Sequence, residues 1–240
     1  MKKRIQFATA MGALGLALAL FVFASLFQLF TGHQSAVGVV ESQPAKMAAF
    51  EAHYEASAPG TLYLFGWVDE GAQRVLGIGI PGALSFLAYG DATAPVTGLD
   101  RFEPADRPPV QMVFQTYHLM VAIGLALIAL ALLSLYYSWR GRLHRTRWLL
   151  VLLVFSVLGP QISNQLGWAS AEVGRQPWIV YGLLRTQDAF SRSVPAGDVL
   201  GSIIAFGLIY LLLFAVFIYL LNDKIMHGPG AEADAHGGRA

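Results

Sequence analysis

The sequence predicts an all-α integral membrane protein, with four transmembrane helices and a long extracytoplasmic loop between the first and the second. Three observations carry this. The 240 residues are 55% hydrophobic and 13% charged, with a mean hydropathy of +0.54, a composition typical of membrane chains. Four apolar runs are each long enough to cross a bilayer, for which about 20 residues are needed. Basic residues gather before the first run and between the second and third, which sets an orientation.

Residues 1–30 form the first expected transmembrane helix, with its apolar run from about Ile5 to Phe30. Lys2-Lys3-Arg4 gives it the basic start of a signal peptide, but the run far exceeds the roughly 7–15 apolar residues of a signal. No small-x-small cleavage site follows promptly, so a retained helix is expected. Residues 31–111 are the expected extracytoplasmic loop. Within it Pro44 to Ala56 is Ala-rich, and Pro44 suits the first turn of a short helix. Thr61 to Val68 has strand-like or aromatic character, Ile78 to Tyr89 is apolar, and Pro95 to Pro109 reads as loop.

Residues 112–137 form the second expected helix, and 138–147 a basic cytoplasmic loop carrying Arg140, Arg142, Arg145 and Arg147. That cluster is a topology determinant in contact with anionic lipid. Residues 148–172 are the third helix, 173–198 an extracytoplasmic loop, and 199–221 the fourth helix. The tail, 222–240, is rich in Gly, Ala and charge, and is expected to be disordered and cytoplasmic. Both termini are thereby placed in the cytoplasm.

Several function classes drop out. With no Cys there are no thiolate metal sites, iron–sulfur clusters or disulfides, so any metal is held by His, Met or carboxylate. A net charge of +1 argues against a nucleic-acid partner. No internal repeat, P-loop or dinucleotide-binding glycine motif is present.

The stretch Gly167-Trp168-Ala169-Ser170-Ala171-Glu172-Val173-Gly174-Arg175-Gln176-Pro177-Trp178 concentrates the chemistry. Ionisable groups at the end of an apolar segment usually mark a functional site. Trp168 and Glu172 stand at i,i+4, and Glu172 and Arg175 at i,i+3, so all three share one helical stripe. Pro177 then pushes Gln176 out of helical geometry. A helix-closing Glu–Arg pair with interfacial tryptophans is the plainer reading of the same residues. Met120, alone in an apolar helix, reads by itself as core filler. Lys46 and Glu51 read as charges solvating an interfacial helix, or as two separate polar partners for a ligand.

Gly-Arg-Gln-Pro-Trp after Gly-Trp-x-x-x-Glu resembles the signature of subunit I of the cytochrome bd quinol oxidases. Gln43-Pro44-Ala45-Lys46-Met47-Ala48-Ala49-Phe50-Glu51 is similar to the start of that family's quinol-binding loop. Met120, in Tyr117-His118-Leu119-Met120-Val121, sits where the family carries a haem-ligating methionine. The resemblance implies that Met120 is an axial ligand of a low-spin haem b, whose potential a thioether raises. It implies that Glu172 ligates a high-spin haem b, that Arg175 binds a haem propionate, and that Trp168 lies against a porphyrin. Lys46 and Glu51 would serve the two hydroxyls of membrane quinol: the carboxylate takes a proton while the lysine holds the phenolate-like oxygen. At the position of His118 the family often has Arg, so haem stabilisation is expected to differ here.

The family's subunit has nine spans and this sequence offers four, matching its C-terminal part. The resemblance therefore implies one half of a split subunit I, with haem d or a further haem b shared with the partner chain. The expected partners are a chain carrying the missing N-terminal spans, subunit II of the oxidase and membrane quinol, in a bacterial inner (plasma) membrane. His33, His53, His144, His227 and His236 are expected in loops, membrane edges or the tail. The alternatives are a non-catalytic haem- or quinone-binding membrane subunit, and an unrelated four-helix transporter component.

Overall fold

The computed structural model describes residues 2–191 and 193–227; the side chains of residues 1–8 and of Ala10, including Lys2, Lys3 and Arg4, lie outside this description. Two units are distinguished, residues 1–189 and 190–240. Among the described residues, four helices are long and apolar enough to cross a membrane.

In the first unit, α1 runs from Lys2 to Ser42. At 1.5 Å per residue it is about 60 Å long, twice the hydrocarbon thickness of a bilayer. It thus passes well beyond the expected end at Phe30, and His33 lies within the helix. A bend at Gln43 leads into α2 (Pro44–Phe50), opened by the proline and ended at Glu51, short of the expected Ala56. Then comes an antiparallel hairpin, β1 (Thr61–Asp69) with β2 (Arg74–Pro81), paired from Thr61 opposite Pro81 to Asp69 opposite Arg74. Gly66 and Gly77 face each other across it so closely that a Cβ on Gly77 would strike the Phe65 carbonyl. The short helix α3 (Ala83–Tyr89) follows, closed by Gly90 in the left-handed region.

Helix α4 (Val110–Trp139) holds the hairpin in place. The Glu70 carboxylate accepts the Gln111 amide at 2.8 Å, satisfying one open donor of the helix start. Gln111 accepts the Val68 amide at 3.0 Å, and Gln115 donates to the Gly66 carbonyl at 2.8 Å. The third expected span is two helices, α5 (Arg147–Phe155) and α6 (Leu158–Val173). Pro160 explains the break, because its ring excludes the carbonyl of Ser156 from a continuous helix.

Helices α4 and α6 pack antiparallel along a seam of small residues. A Cβ on Gly159 would meet Leu127, one on Gly167 would meet Met120, and one on Gly174 would meet Val113. Small residues allow such close approach between apolar helices. The start of α4 and the end of α6 therefore lie together, with α2 against them. After α6 a short hairpin joins β3 (Trp178–Val180) to β4 (Leu184–Arg185).

The second unit contains α7 (Ala196–His227), with Asp198 in its first turn, where a negative charge suits the helix dipole. It begins before Val199 and continues through residues 222–227, which the sequence assigned to the tail. Residues 228–240, with His236 and the rest of the expected tail, lie outside the described residues. The fold class holds, with strands confined to the segments between membrane helices.

Candidate functional site

The site is built where α2 meets the first turns of α4 and the last turn of α6. Every residue from Ala45 to Phe50 is buried, because the Ala-rich face lets α2 nestle against its neighbours. Phe50 stacks on Tyr117 with ring centroids 4.3 Å apart. Neither Lys46 nor Glu51 solvates a surface: they are 7% and 2% exposed.

The two charges point into different surroundings. Glu51 Oε2 lies 3.8 Å from His118 Nε2 and makes no hydrogen bond. Burial pushes the Glu51 carboxyl up to about 8, against the opposing pull of a hydrogen bond from the Tyr63 backbone. His118 stacks on Phe114 at 3.9 Å, and its two ring nitrogens face the carbonyls of Phe114 and Tyr63 at 2.9 and 2.8 Å. Lys46 lies instead by the end of α6. Its Nζ is 3.5 Å from Gln43 Oε1 and 5.8 Å from the centre of the Phe50 ring. Burial lowers the Lys46 pKa, the Arg175 charge lowers it further, and the Glu172 charge works the other way. A Cβ on Gly174 would touch the Lys46 stem.

Glu172 and Arg175 form an ion pair, Nη2 to Oε1 at 2.8 Å, with side chains 41% and 38% exposed. Helix α6 ends at Val173, so Arg175 reaches back from beyond the helix to its last turn. Gln176 donates to the Glu172 carbonyl at 3.3 Å. Trp168 is 66% exposed. Met120 is half-buried, its thioether set against Gly167, and its carbonyl accepts the Ser163 hydroxyl at 3.3 Å.

The structure thus brings Lys46 to the Glu172–Arg175 pair and sends Glu51 to His118. Three participants escaped the sequence reading: the Glu51–His118 contact, the Tyr63 backbone, and the ion pair of Arg185 with Asp106 at 2.6 Å. That last pair links the loop after α6 to the segment before α4, and Arg185 also covers the Trp178 ring at 5.1 Å. The His118 contact spans residues 51 and 118, a separation that no local pattern encodes. Among the described residues no three His, Cys, Asp or Glu side chains gather as a metal cluster.

The donor types present fit a haem group. Met120 is a soft thioether on an apolar span, and Glu172 keeps one oxygen outside its ion pair. The Arg175 guanidinium has donors to spare for a further carboxylate.

The family model of cytochrome bd terminal oxidase subunit I matches residues 1–229, and the chain belongs to that family. It is 35% identical over 232 residues to cytochrome bd ubiquinol oxidase subunit 1 of Bacillus subtilis (strain 168), covering 92% of this chain and 49% of the relative. It is 24% identical over 267 residues to cytochrome bd-II ubiquinol oxidase subunit 1 of Escherichia coli (strain K12), covering 83% and 52%. Its fold is similar to that of the bd oxidase from Geobacillus thermodenitrificans, with a TM-score of 0.76, 32% identity and coverage of 91% and 50%. The chain spans about half the length of these relatives.

Proposed function

We propose that this chain forms the C-terminal part of subunit I of a cytochrome bd-type quinol oxidase and carries its quinol-binding and two of its haem-ligating groups. The half of subunit I that it does not span, placed on a partner chain, supplies the remaining ligands, and subunit II completes a complex in the bacterial plasma membrane, where both termini of this chain face the cytoplasm. The complex oxidises membrane quinol and reduces oxygen. The observation that supports this best is the convergence of a buried carboxylate, a buried lysine and the Glu172–Arg175 pair at one end of the α4–α6 seam.

Oxidation of a hydroquinone releases two protons with two electrons. Glu51, with a pKa of about 8, both accepts and gives up a proton near neutral pH, the condition for efficient general-base work. Lys46 places positive charge beside the Phe50–Tyr117 stack, where a quinol oxygen gains anionic character. Met120 would hold a low-spin haem b and Glu172 a high-spin haem b, with Arg175 available to its propionate and Trp168 to its ring. A further haem, haem d or haem b, would be shared between this chain and the partner. Haem so held supplies one-electron transfer.

The test is quinol turnover by the assembled complex carrying Glu51→Gln or Lys46→Met. Glu51→Gln is expected to lose about a hundredfold in turnover, the lower end of what a general base typically contributes, and Lys46→Met to lose turnover as well, while haem content persists. Unimpaired turnover in both variants overturns the assignment of the quinol site.

A further inference from the structure

The opposite end of the α1–α4 pair carries a second built feature. The apolar floor of a groove is formed by Leu14 and Leu18 of α1 and by Leu143, and its rim by Ser138, Gly141 and His144. Leu18 and Leu143 are buried and backed by Leu149, so the floor is part of a packed cluster rather than a gap between frayed ends. A Cβ on Gly15 would meet nothing within 4 Å, and the same holds at Gly141, whose φ of +63° turns the chain there.

The loop that supplies the rim is strongly cationic. Arg140, Arg142, Arg145 and Arg147 fall within eight residues, and no Asp or Glu occurs between Arg107 and Ala171. None of the four forms an ion pair among the described residues. Arg145 Nε donates to His144 Nε2 at 3.3 Å, which leaves Nδ1 of that ring as a donor. Guanidinium groups match phosphate bidentately. An apolar floor on spanning helices, beside a loop whose guanidiniums form no ion pair among the described residues, fits a molecule with an alkyl chain and a phosphodiester.

We propose that this groove is a binding site for an anionic glycerophospholipid, with one acyl chain on the Leu14–Leu18–Leu143 floor and its phosphate among Arg142, Arg145 and His144. Free phosphate is disfavoured as occupant because it leaves the apolar floor uncovered. Basic pockets between spans hold anionic headgroups in this way.

The test uses the full chain, with any subunit that co-purifies, in a neutral detergent. It is titrated with phosphatidylglycerol or phosphatidylcholine, and bound lipid is counted by native mass spectrometry. Phosphatidylglycerol is expected to be retained at roughly tenfold lower concentration, and the double variant Arg142→Gln/Arg145→Gln to erase that preference. Gly15→Leu, which fills the groove from an open position, should weaken both lipids while leaving helix content unchanged. Should Gly15→Leu fail to accumulate, the arginine variant decides, since both of its side chains are exposed. Equal retention of the two lipids, a preference that survives the arginine substitutions, or displacement of lipid by millimolar inorganic phosphate would overturn the proposal.

Discussion

The Glu51 carboxylate and the His118 imidazole face each other, Oε2 to Nε2 across 3.8 Å, at the junction of α2, β1 and α4. Both are withdrawn from water, and Tyr63 serves both: its carbonyl faces the imidazole, and its backbone bonds the carboxylate. A neutral imidazole has one N–H, so only a doubly protonated ring donates to both the Phe114 and Tyr63 carbonyls. The buried carboxylate of Glu51 and the helix that bears Met120 are joined through this contact.

Glu51 gives the folded protein a pH dependence of known sign. Its carboxyl titrates at 4.5 when free and at about 8 when folded. Between those values the folded protein holds a proton that the unfolded chain has released. Stability therefore falls as pH rises through that window, by at most about 1.4 kcal/mol per pH unit, and levels off outside it. Glu51→Gln removes this slope. Thermal midpoints measured from pH 5 to 8 should converge at the acid end and separate at the alkaline end, with the variant higher. Parallel curves would contradict a buried, proton-holding Glu51.

His118 has a structural share that can be measured separately. His118→Leu leaves the Tyr63 carbonyl without its partner, and an unsatisfied buried group costs roughly 1–3 kcal/mol. The effect should be local to the hairpin of residues 61–81. Limited proteolysis is expected to cut there faster than in the parent, while the α4–α6 seam keeps its protection. Uniform loss of protection across the chain would mean that His118 supports the whole fold instead.

Four spans were legible in the sequence because apolar length is a one-dimensional signal that lipid imposes on each helix separately. The hairpin was half legible: Thr61 to Val68 shows its aromatic and branched residues, whereas Arg74 to Pro81 hides its pairing behind Gly77 and Gly79. Helix α1 was underestimated because its stretch from Thr31 to Ser42, with Gly32 and Gly38, reads as loop, although no proline interrupts it before Pro44. At the site, the Glu172–Arg175 pair follows from a spacing of three residues. The approach of Lys46 to that pair does not, since it depends on Gly174 admitting α2 beside α6. Such contacts are set by packing over a hundred residues apart.

The glycine seam predicts a steric result. A Cβ on Gly167 would come within 2.8 Å of Met120 Sδ, so Gly167→Val forces α6 away from α4 or the thioether out of place. Overpacking of this kind typically costs about 1–3 kcal/mol. Gly124, where a Cβ meets nothing within 4 Å, provides the control: Gly124→Ala should be neutral or slightly stabilising in helix α4. Thermal unfolding of the two variants checks the difference, and equal midpoints would show that the seam yields without cost.

Met120 and Glu172 lie on different helices, so under the proposed function their substitutions should separate two spectral species in the assembled complex. Met120→Leu nearly preserves volume and keeps an apolar contact with Gly167, so folding should survive. The low-spin haem b signal is then expected to vanish or convert to high spin, while the high-spin haem b remains. Glu172→Ala should do the reverse, and Arg175→Ala should loosen haem retention without abolishing ligation. The Glu172–Arg175 pair is more than a third exposed on both sides, and such pairs contribute about 0–1 kcal/mol to stability. Loss of the pair alone is therefore too small to unfold the chain, and a large loss of haem would report ligation. Reduced-minus-oxidised spectra of detergent-solubilised complex, with haem quantified per protein, make the measurement. A low-spin spectrum unchanged in Met120→Leu removes Met120 as a ligand. Haem content and oxygen uptake unchanged in both Glu172→Ala and Arg175→Ala reduce that pair to a helix-closing ion pair.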